Sequence, residues 1–452
     1  MSRERISGVD TAWLRMDNPT NLMMIVGVMM FAERLELDAV KRIIAERFLS
    51  FPRLRCRAVQ DAAGAWWETD ETLDIDWHVR RHARRGRLGK AALESLVSEL
   101  ASTPLDPGRP LWQFHVVDFG AGSALIIRIH HCYADGIALI QVLLSMTHAT
   151  ARGSLSMKPR VARETPKGAS DFWEQVVKPV TGALANPLEA AGALQDTARK
   201  GVDLAAEIAR LATMGRDAET RFKGTLGTRK RVAWATPLPL DEVKSVGKAL
   251  GCSINDVLLS MAAGALRDYL EERGDPVEDL EIRAIVPVNL RPAAQAGSLG
   301  NQFGLVFLGL PIGIAHPLER LYEVRSRMKA LKGSYQPLIA LGLLTAVGYG
   351  PRALQDQVTQ LLGQNASLVM TNVPGPQHAL YFAGRRIVEQ DFWVPQSGGI
   401  GMGVSILSYD GRIQFGVITD AGLVPDPDAI VGRFAGEFDK LMWITLMSPW
   451  AG

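Results

Sequence analysis

Four residues that can move a proton, or shape the backbone around a residue that does, fall within seven positions: His130, His131, Asp135 and Gly136. The ordinary pKa of an imidazole lies close to neutrality, so a histidine here is a candidate general base. Asp135 either orients that imidazole or is tied to an arginine and holds the loop. Gly136 fits a corner that needs positive φ or close backbone approach ahead of a helix. Other readings of the same residues stay open. A pair of adjacent histidines can be purely structural. A metal centre needs donors that converge on one point, whereas adjacent strand residues diverge. Cys132 would be a thiolate nucleophile only with partners whose geometry the chain does not reveal.

The elements around this corner follow from hydrophobic periodicity. Ser123 to Ile129 is apolar and rich in β-branched residues, which predicts a largely buried strand. Strand side chains alternate between faces, so His130 and His131 cannot both address one cavity. One works in a site while the other packs or holds the loop. From Ile137 the apolar positions return at helical spacing through Ile140, Leu143, Leu144 and Thr147, so a helix follows. Strand, polar corner and helix together project a side chain from a rigid scaffold into a cleft.

Elsewhere the chain alternates helices and strands. Asp10 to Arg15 reads as a short helix, and Asn21 to Phe31, NLMMIVGVMMF, as a strand buried on both faces, with a Met-lined apolar channel as the alternative. Leu37 to Phe48 is an amphipathic helix. Gln113 to Phe119 is a strand, and Trp112 before it a packing anchor. Further strands are expected at Arg231–Pro237, Ile282–Val288, Leu305–Leu310 and Ser367–Asn372. Ser253 is a good N-cap for the helix carrying Asn255 and Asp256, which favours a capping role for that segment over direct catalysis. Leu338 to Val347 is either a core helix or a membrane-docking face. Residues 398 to 408 and Asp410-Gly411 read as a hairpin rather than a phosphate loop, because a strand and not a helix follows. The last segment repeats the order strand, Asp-x-Gly, helix, with Ile418 and Thr419 near the positions of the histidines. Two domains of like topology with one site between them are therefore expected.

The 452 residues exceed one ordinary core, and 47% hydrophobic with 22% charged residues fits a globular enzyme. A formal charge of +2 argues against a nucleic-acid partner. Three scattered cysteines give neither a disulfide framework nor a zinc spacing, so no metal is expected, and a reducing cytoplasm is. The polar N-terminus has no signal-peptide core, and no apolar run reaches the ~18 residues a membrane span needs. The basic run 79–90, VRRHARRGRLGK, is exposed charge or a site for phosphates or an anionic membrane surface. Boundaries are expected as 1–155 for the first domain, 156–230 for a helical connector and 231–452 for the second domain.

The motif His130-His131-Cys-Tyr-Ala-Asp135-Gly136 matches the HHxxxDG motif of the CoA-dependent acyltransferase superfamily. Three further blocks resemble its bacterial wax ester synthase/diacylglycerol acyltransferase branch: Pro110-Leu111-Trp112, the Asn255-Asp256 block, and Asn372-Val373-Pro374-Gly375-Pro376. The resemblance implies an α/β fold of two chloramphenicol-acetyltransferase-like domains, with mixed sheets flanked by helices and an active-site tunnel between them. It implies transfer of a long-chain acyl group from acyl-CoA, as substrate and with no cofactor, to a fatty alcohol or diacylglycerol. His131 would be the base, His130 would hold the loop, and Asp135 and Gly136 would shape it. It also implies an arginine partner for Asp135, for which Arg55 in Phe51-Pro52-Arg53-Leu54-Arg55 is the candidate, and a channel-facing Asn301. The implied location is the cytoplasm, with a peripheral place on the membrane or on lipid inclusions left open. Two rivals remain at this level: an enzyme taking its acyl group from a carrier protein, and a non-catalytic lipid-granule protein.

Overall fold

The run before the histidine pair forms a strand, Gly122–His130, in which every residue is buried. It sits in a computed structural model that describes residues 3–82, 86–155, 207, 210–211, 213–291, 299–332, 334–396 and 398–447. The first half contributes strands β1 (Arg3–Arg5), β2 (Met24–Phe31), β3 (Cys56–Asp61), β4 (Gly64–Thr69), β5 (Val79–Arg81), β6 (Trp112–Phe119) and β7 (Gly122–His130). The second contributes β8 (Lys230–Trp234), β9 (Leu238–Pro239), β10 (Ile282–Asn289), β11 (Phe303–Leu310), β12 (Leu368–Pro374), β13 (Tyr381–Phe382), β14 (Arg385–Trp393), β15 (Met402–Tyr409) and β16 (Arg412–Asp420).

Two large sheets result, ordered β13-β14-β2-β7-β6-β5 and β11-β10-β12-β15-β16-β8, with β9 pairing on β16. They share a pattern. In the first, β7 lies between antiparallel β2 and β6, and β6 is followed across the sheet by a parallel strand, β5. In the second, β16 lies between antiparallel β8 and β15, and β15 is followed by parallel β12. Each central strand then leads into a helix, Gly136–Met146 in one half and Asp428–Met447 in the other. The repeated topology read from the last segment is present. At its equivalent corner Thr419 donates its hydroxyl to the Val424 carbonyl, and Asp420 is held by Lys230 at 2.9 Å.

The halves are not separate bodies. β14 pairs with β2, matching Val26 with Trp393 and Val28 with Asp391, so residues 381–393 complete the sheet that positions the histidines. A unit ending at residue 155 lacks these two strands. β2 is thereby paired on both sides, and its alternate residues enter two cores. Met29 and Phe31 face the helix Gly136–Met146, and Met24, Val26, Val28 and Met30 face the helix Lys90–Ala101 and Trp234 of β8. The connector expected to be helical lies largely outside the described residues, and its described end, 214–229, runs as turns and bends into β8.

The helix Gln336–Tyr349 is apolar on all sides, and it both packs and presents a surface. Leu344, Val347 and Gly348 are buried against the helix Gly8–Met16, while Leu343 and Tyr349 are exposed. Among the described residues no single helix is long and apolar enough to cross a membrane. The crossing of these two helices is close because both carry glycine. A Cβ on Gly348 would lie 1.6 Å from the Gly8 carbonyl oxygen. Gly348→Ala is therefore expected to push the N-terminal helix outward and cost roughly 1–3 kcal/mol, read from urea unfolding.

Candidate active site

The two histidines leave β7 on opposite faces, as strand alternation requires. The His130 N–H donates to the Leu111 carbonyl at 2.9 Å, and the His131 N–H donates to the Met23 carbonyl at 2.7 Å. His130 turns away from the main cavity: its Nδ1 accepts from the Cys132 N–H at 3.1 Å and its Nε2 lies 3.7 Å from the Asp17 carboxylate. His131 lies on the cavity wall, stacked on Trp13 with ring centroids 4.4 Å apart and flanked by Phe303 at 5.7 Å. Burial lowers its pKa to about 4, with the nearby Asp135 charge opposing the shift. The imidazole is neutral at pH 7, the form a base requires.

Asp135 begins the next helix. One carboxylate oxygen accepts from the Ala138 N–H at 2.8 Å, a side-chain N-cap. The other accepts from the Arg291 guanidinium at 2.6 Å and from the Gln302 N–H at 2.9 Å. This corrects the expected pairing with Arg55. Arg55 ends the tight turn Pro52–Arg55 and folds back onto the Leu49 carbonyl at 2.6 Å, where it is exposed. Its neighbour Arg53 is the arginine of that segment that turns inward, 3.6 Å from Asp10. Gly136 also differs from expectation. It is not among the positive-φ residues, and a Cβ there would meet nothing within 4 Å. Its lack of a side chain keeps the cavity open beside His131 instead of easing the backbone.

A second clamp reaches the motif from residues 299–302. The Gly300 N–H donates to the Tyr133 carbonyl at 3.1 Å, and the Asp135 N–H donates back to the Gly300 carbonyl at 3.3 Å. Asn301 is buried and does not face the cavity, contrary to expectation: its amide donates to the His131 carbonyl at 2.8 Å and to Asp10 at 2.7 Å. Burial raises the Asp10 carboxyl, with Asn301 and Arg53 opposing. Trp13, Asp10 and Arg291 were not singled out by sequence reasoning. The first two lie on the short helix noted there, and Arg291 stands two residues beyond the end of β10.

The remaining motif residues divide into supports and walls. Leu111 holds His130 and takes the Tyr133 hydroxyl on its N–H at 3.0 Å, while that hydroxyl donates to the Cys56 carbonyl at 2.6 Å. Trp112 is fully buried, stacked on His78 and bonded to the Leu54 carbonyl at 2.8 Å; Pro110 precedes it, also buried. Ser253 and Asp256 form a reciprocal capping box. Asn255 accepts from the Asn372 amide at 2.8 Å, and both line the cavity together with Pro374. Gly375 lets β12 approach β15, since a Cβ would lie 2.5 Å from the Ser408 carbonyl. Burial pushes the Cys132 thiol well above its ordinary pKa, which disfavours a thiolate.

The cavity itself encloses about 670 Å³ between the two sheets and is predominantly apolar, with Lys244 and Lys332 among its lining. A smaller one of about 90 Å³ lies against it. None of the described residues of the basic run 79–90 lines either. Among the described residues no group of three or more His, Cys, Asp or Glu is placed to hold a metal ion. A neutral imidazole on the wall of a predominantly apolar cavity can take a proton from a hydroxyl and return it to a leaving group.

Arg291→Ala leaves Asp135 buried without its guanidinium, so unfolding free energy is expected to fall by roughly 3–5 kcal/mol. Arg55→Ala is expected to change it by less than about 1 kcal/mol. Parallel urea titrations of the two variants check the pairing, and the reverse ranking overturns it.

Comparison with known proteins matches residues 6–258 to the model of the wax ester synthase/diacylglycerol acyltransferase catalytic domain and residues 299–442 to that of the WS/DGAT C-terminal domain. A Mycobacterium tuberculosis protein provisionally named a diacylglycerol O-acyltransferase is 28% identical over 97% of both chains. A similarly named protein of Mycobacterium bovis is 29% identical over 87% of this chain and 84% of its own. Among solved structures, the wax ester synthase/diacylglycerol acyltransferase from Marinobacter aquaeolei VT8 superposes with a TM-score of 0.69 at 19% identity, covering 98% of this chain and all of that one. The first condensation domain of the calcium-dependent antibiotic synthetase superposes with a TM-score of 0.61 at 14% identity, covering 99% and 97%. Both structural likenesses bear on the fold.

Proposed function

Because the chain belongs to the wax ester synthase/diacylglycerol acyltransferase family, we propose that it is an O-acyltransferase moving a long-chain acyl group from acyl-CoA to a fatty alcohol, diacylglycerol or both, with His131 as general base. The observation that carries the mechanism is the neutral His131 ring on the wall of a large apolar cavity. Its Nδ1 is enclosed by the protein, which leaves Nε2 as the proton acceptor. Nε2 takes the proton of the acceptor hydroxyl while the oxygen attacks the thioester carbonyl. The tetrahedral intermediate collapses, the carbon–sulfur bond breaks, and the departing CoA thiolate receives the proton. Base and proton donor are the same nitrogen, so the protein balances the step with no cofactor and no covalent intermediate.

The other residues serve alignment. Trp13 fixes the plane of the imidazole, and Asn301 and Arg291 fix the loop beneath it. Lys244 and Lys332 supply positive charge suited to the phosphates of CoA. The exposed Leu343, Tyr349, Leu354 and Leu361 of the helices Gln336–Tyr349 and Arg352–Asn365 support docking at a lipid surface, where both substrates concentrate.

CoA release from palmitoyl-CoA with hexadecanol or a diacylglycerol tests the reading. Wild type is expected to turn over and His131→Ala to lose about 10²–10⁴-fold in rate while keeping its fold. His130→Ala, which removes the contacts to the Cys132 N–H and Asp17 but no group on the cavity wall, is expected to retain more. Near-normal turnover by His131→Ala removes the base assignment.

The acid limb gives an independent check. The base is the neutral form, so activity rises with pH through the folded pKa of about 4 and is already at its plateau by pH 6. A kcat/KM profile flat from pH 8 to pH 6 is expected. A limb centred near 6.5 means that the imidazole in the free enzyme is not the buried one described.

A further inference from the structure

The burial that keeps the His131 ring neutral also opposes its protonation, yet the ring must hold a proton between attack by the hydroxyl and departure of the thiolate. Asp135 and the hydrogen bonds of Asn301 and the loop backbone favour the protonated ring, while the neighbouring His130 opposes it. Asp135 directs its own hydrogen bonds to the loop, through Ala138, Gln302 and Arg291. What faces the ring itself is the indole of Trp13. The two rings are stacked, with centroids 4.4 Å apart and planes inclined by 27°, so the imidazole lies over the π face and not against its edge. Both residues are buried, at 7% and 6% exposure. Phe303 packs beside them at a steeper tilt, 56°, with its centroid 5.7 Å from that of His131.

The face of an aromatic ring carries negative potential and attracts a cation within about 6 Å, most strongly for Trp and where water is excluded. A neutral imidazole gains little from it. The contact therefore strengthens as the ring takes up the proton, which is the behaviour that speeds a chemical step instead of merely tightening binding. The indole is held for this on both sides along its helix. Asp10 accepts from the Asn301 amide at 2.7 Å, Gln355 donates to the Ala12 carbonyl at 3.2 Å, and Arg15 donates to the Gly350 carbonyl at 3.0 Å. A leucine at position 13 would exclude water too, but it would offer no such face. A second stack, Trp112 on His78 at 4.0 Å, shows such a pair used for packing: the His78 Nδ1 is bonded to the Trp112 carbonyl, and neither residue lines either cavity. Trp13 differs in lining the large cavity together with the base.

We propose that the π face of Trp13 stabilises the His131 imidazolium that exists only while the proton is in transit, so that this indole lowers the barrier to acyl transfer. The proposal rests on the acyltransferase reading above. Trp13 acts through His131 and is in that sense a positioning residue with an electrostatic part.

The experiment places tryptophans bearing one, two or four ring fluorines at position 13 alone, by nonsense suppression, beside Trp13→Phe and Trp13→Leu. Fluorine draws electron density from the face and barely changes the size of the ring. Single-turnover rates and KM are measured with palmitoyl-CoA and hexadecanol or a diacylglycerol, and folding is checked by circular dichroism melts. The single-turnover rate is expected to fall stepwise with fluorine count, by about 3–30-fold overall, with KM nearly unchanged. Trp13→Phe is expected to lie between wild type and Trp13→Leu. The residual turnover of His131→Ala is expected not to respond to fluorine at position 13, because no imidazolium forms there. A rate that ignores fluorine count in folded proteins, a loss carried by KM alone, or the same fall in His131→Ala overturns the proposal. If Trp13→Leu does not fold, the fluorine series decides. Wild type inert with every acceptor overturns the acyltransferase reading instead. Nitrogen NMR titration of the His131 ring then decides the stack. The face favours the protonated form, so the pKa is expected to drop from about 4 with each added fluorine, and an unchanged pKa overturns the proposal.

Discussion

Asp135 is buried at the start of a helix in one half of the chain and is held by a guanidinium that comes from the other half. Removing such a pair from water is expensive, and the expense is met only where the remaining lone pairs find donors. They do: the Ala138 and Gln302 N–H groups complete the carboxylate, and Arg291 also donates to the Gly300 carbonyl. The histidine loop is thus shaped across a seam. Strand β7 delivers it, but its final form is set by residues 291 and 299–302 reaching over from the second sheet.

Burial of His131 does two things at once. It keeps the imidazole neutral, so that a lone pair is available, and it makes the imidazolium formed during reaction costly. The nearby Asp135 acts against that second effect, because its negative charge favours the protonated ring. Asp135 therefore serves the ring electrostatically while its hydrogen bonds go to the loop. Trp13 and Phe303 exclude water from the same space, and every charge that remains inside is felt more strongly for it.

What was legible in the chain was local. The strand ending at His130, the helix after Gly136, the divergence of the two histidines, the Ser253 cap and the hairpin turned by Asp410 and Gly411 each follow from period, propensity or turn chemistry within a short window. The family resemblance supplied the choice between the two imidazoles and the expectation that Asp135 has an arginine partner. It named the wrong arginine, because Arg55 and Arg291 differ only in where distant backbone carries them. Asn301 was noticed but aimed into the channel; its true partners, Asp10 and the His131 carbonyl, lie 291 and 170 residues away in sequence. The exchange of β14 was equally hidden, since an alternating strand pattern does not say which sheet it joins.

That exchange has a consequence for how the protein comes into being. On a ribosome adding about 5–20 residues per second, β2 and β7 emerge long before β14, by an interval on the order of 10–50 s. During that time β2 has an open edge, rich in methionine and branched side chains and lacking the charges that natural edge strands use to deter mispairing. The nascent first half is therefore an aggregation-prone intermediate rather than a finished domain. Its histidines acquire a defined setting only when the second half has been made, so the order of synthesis separates the presence of the motif from its competence.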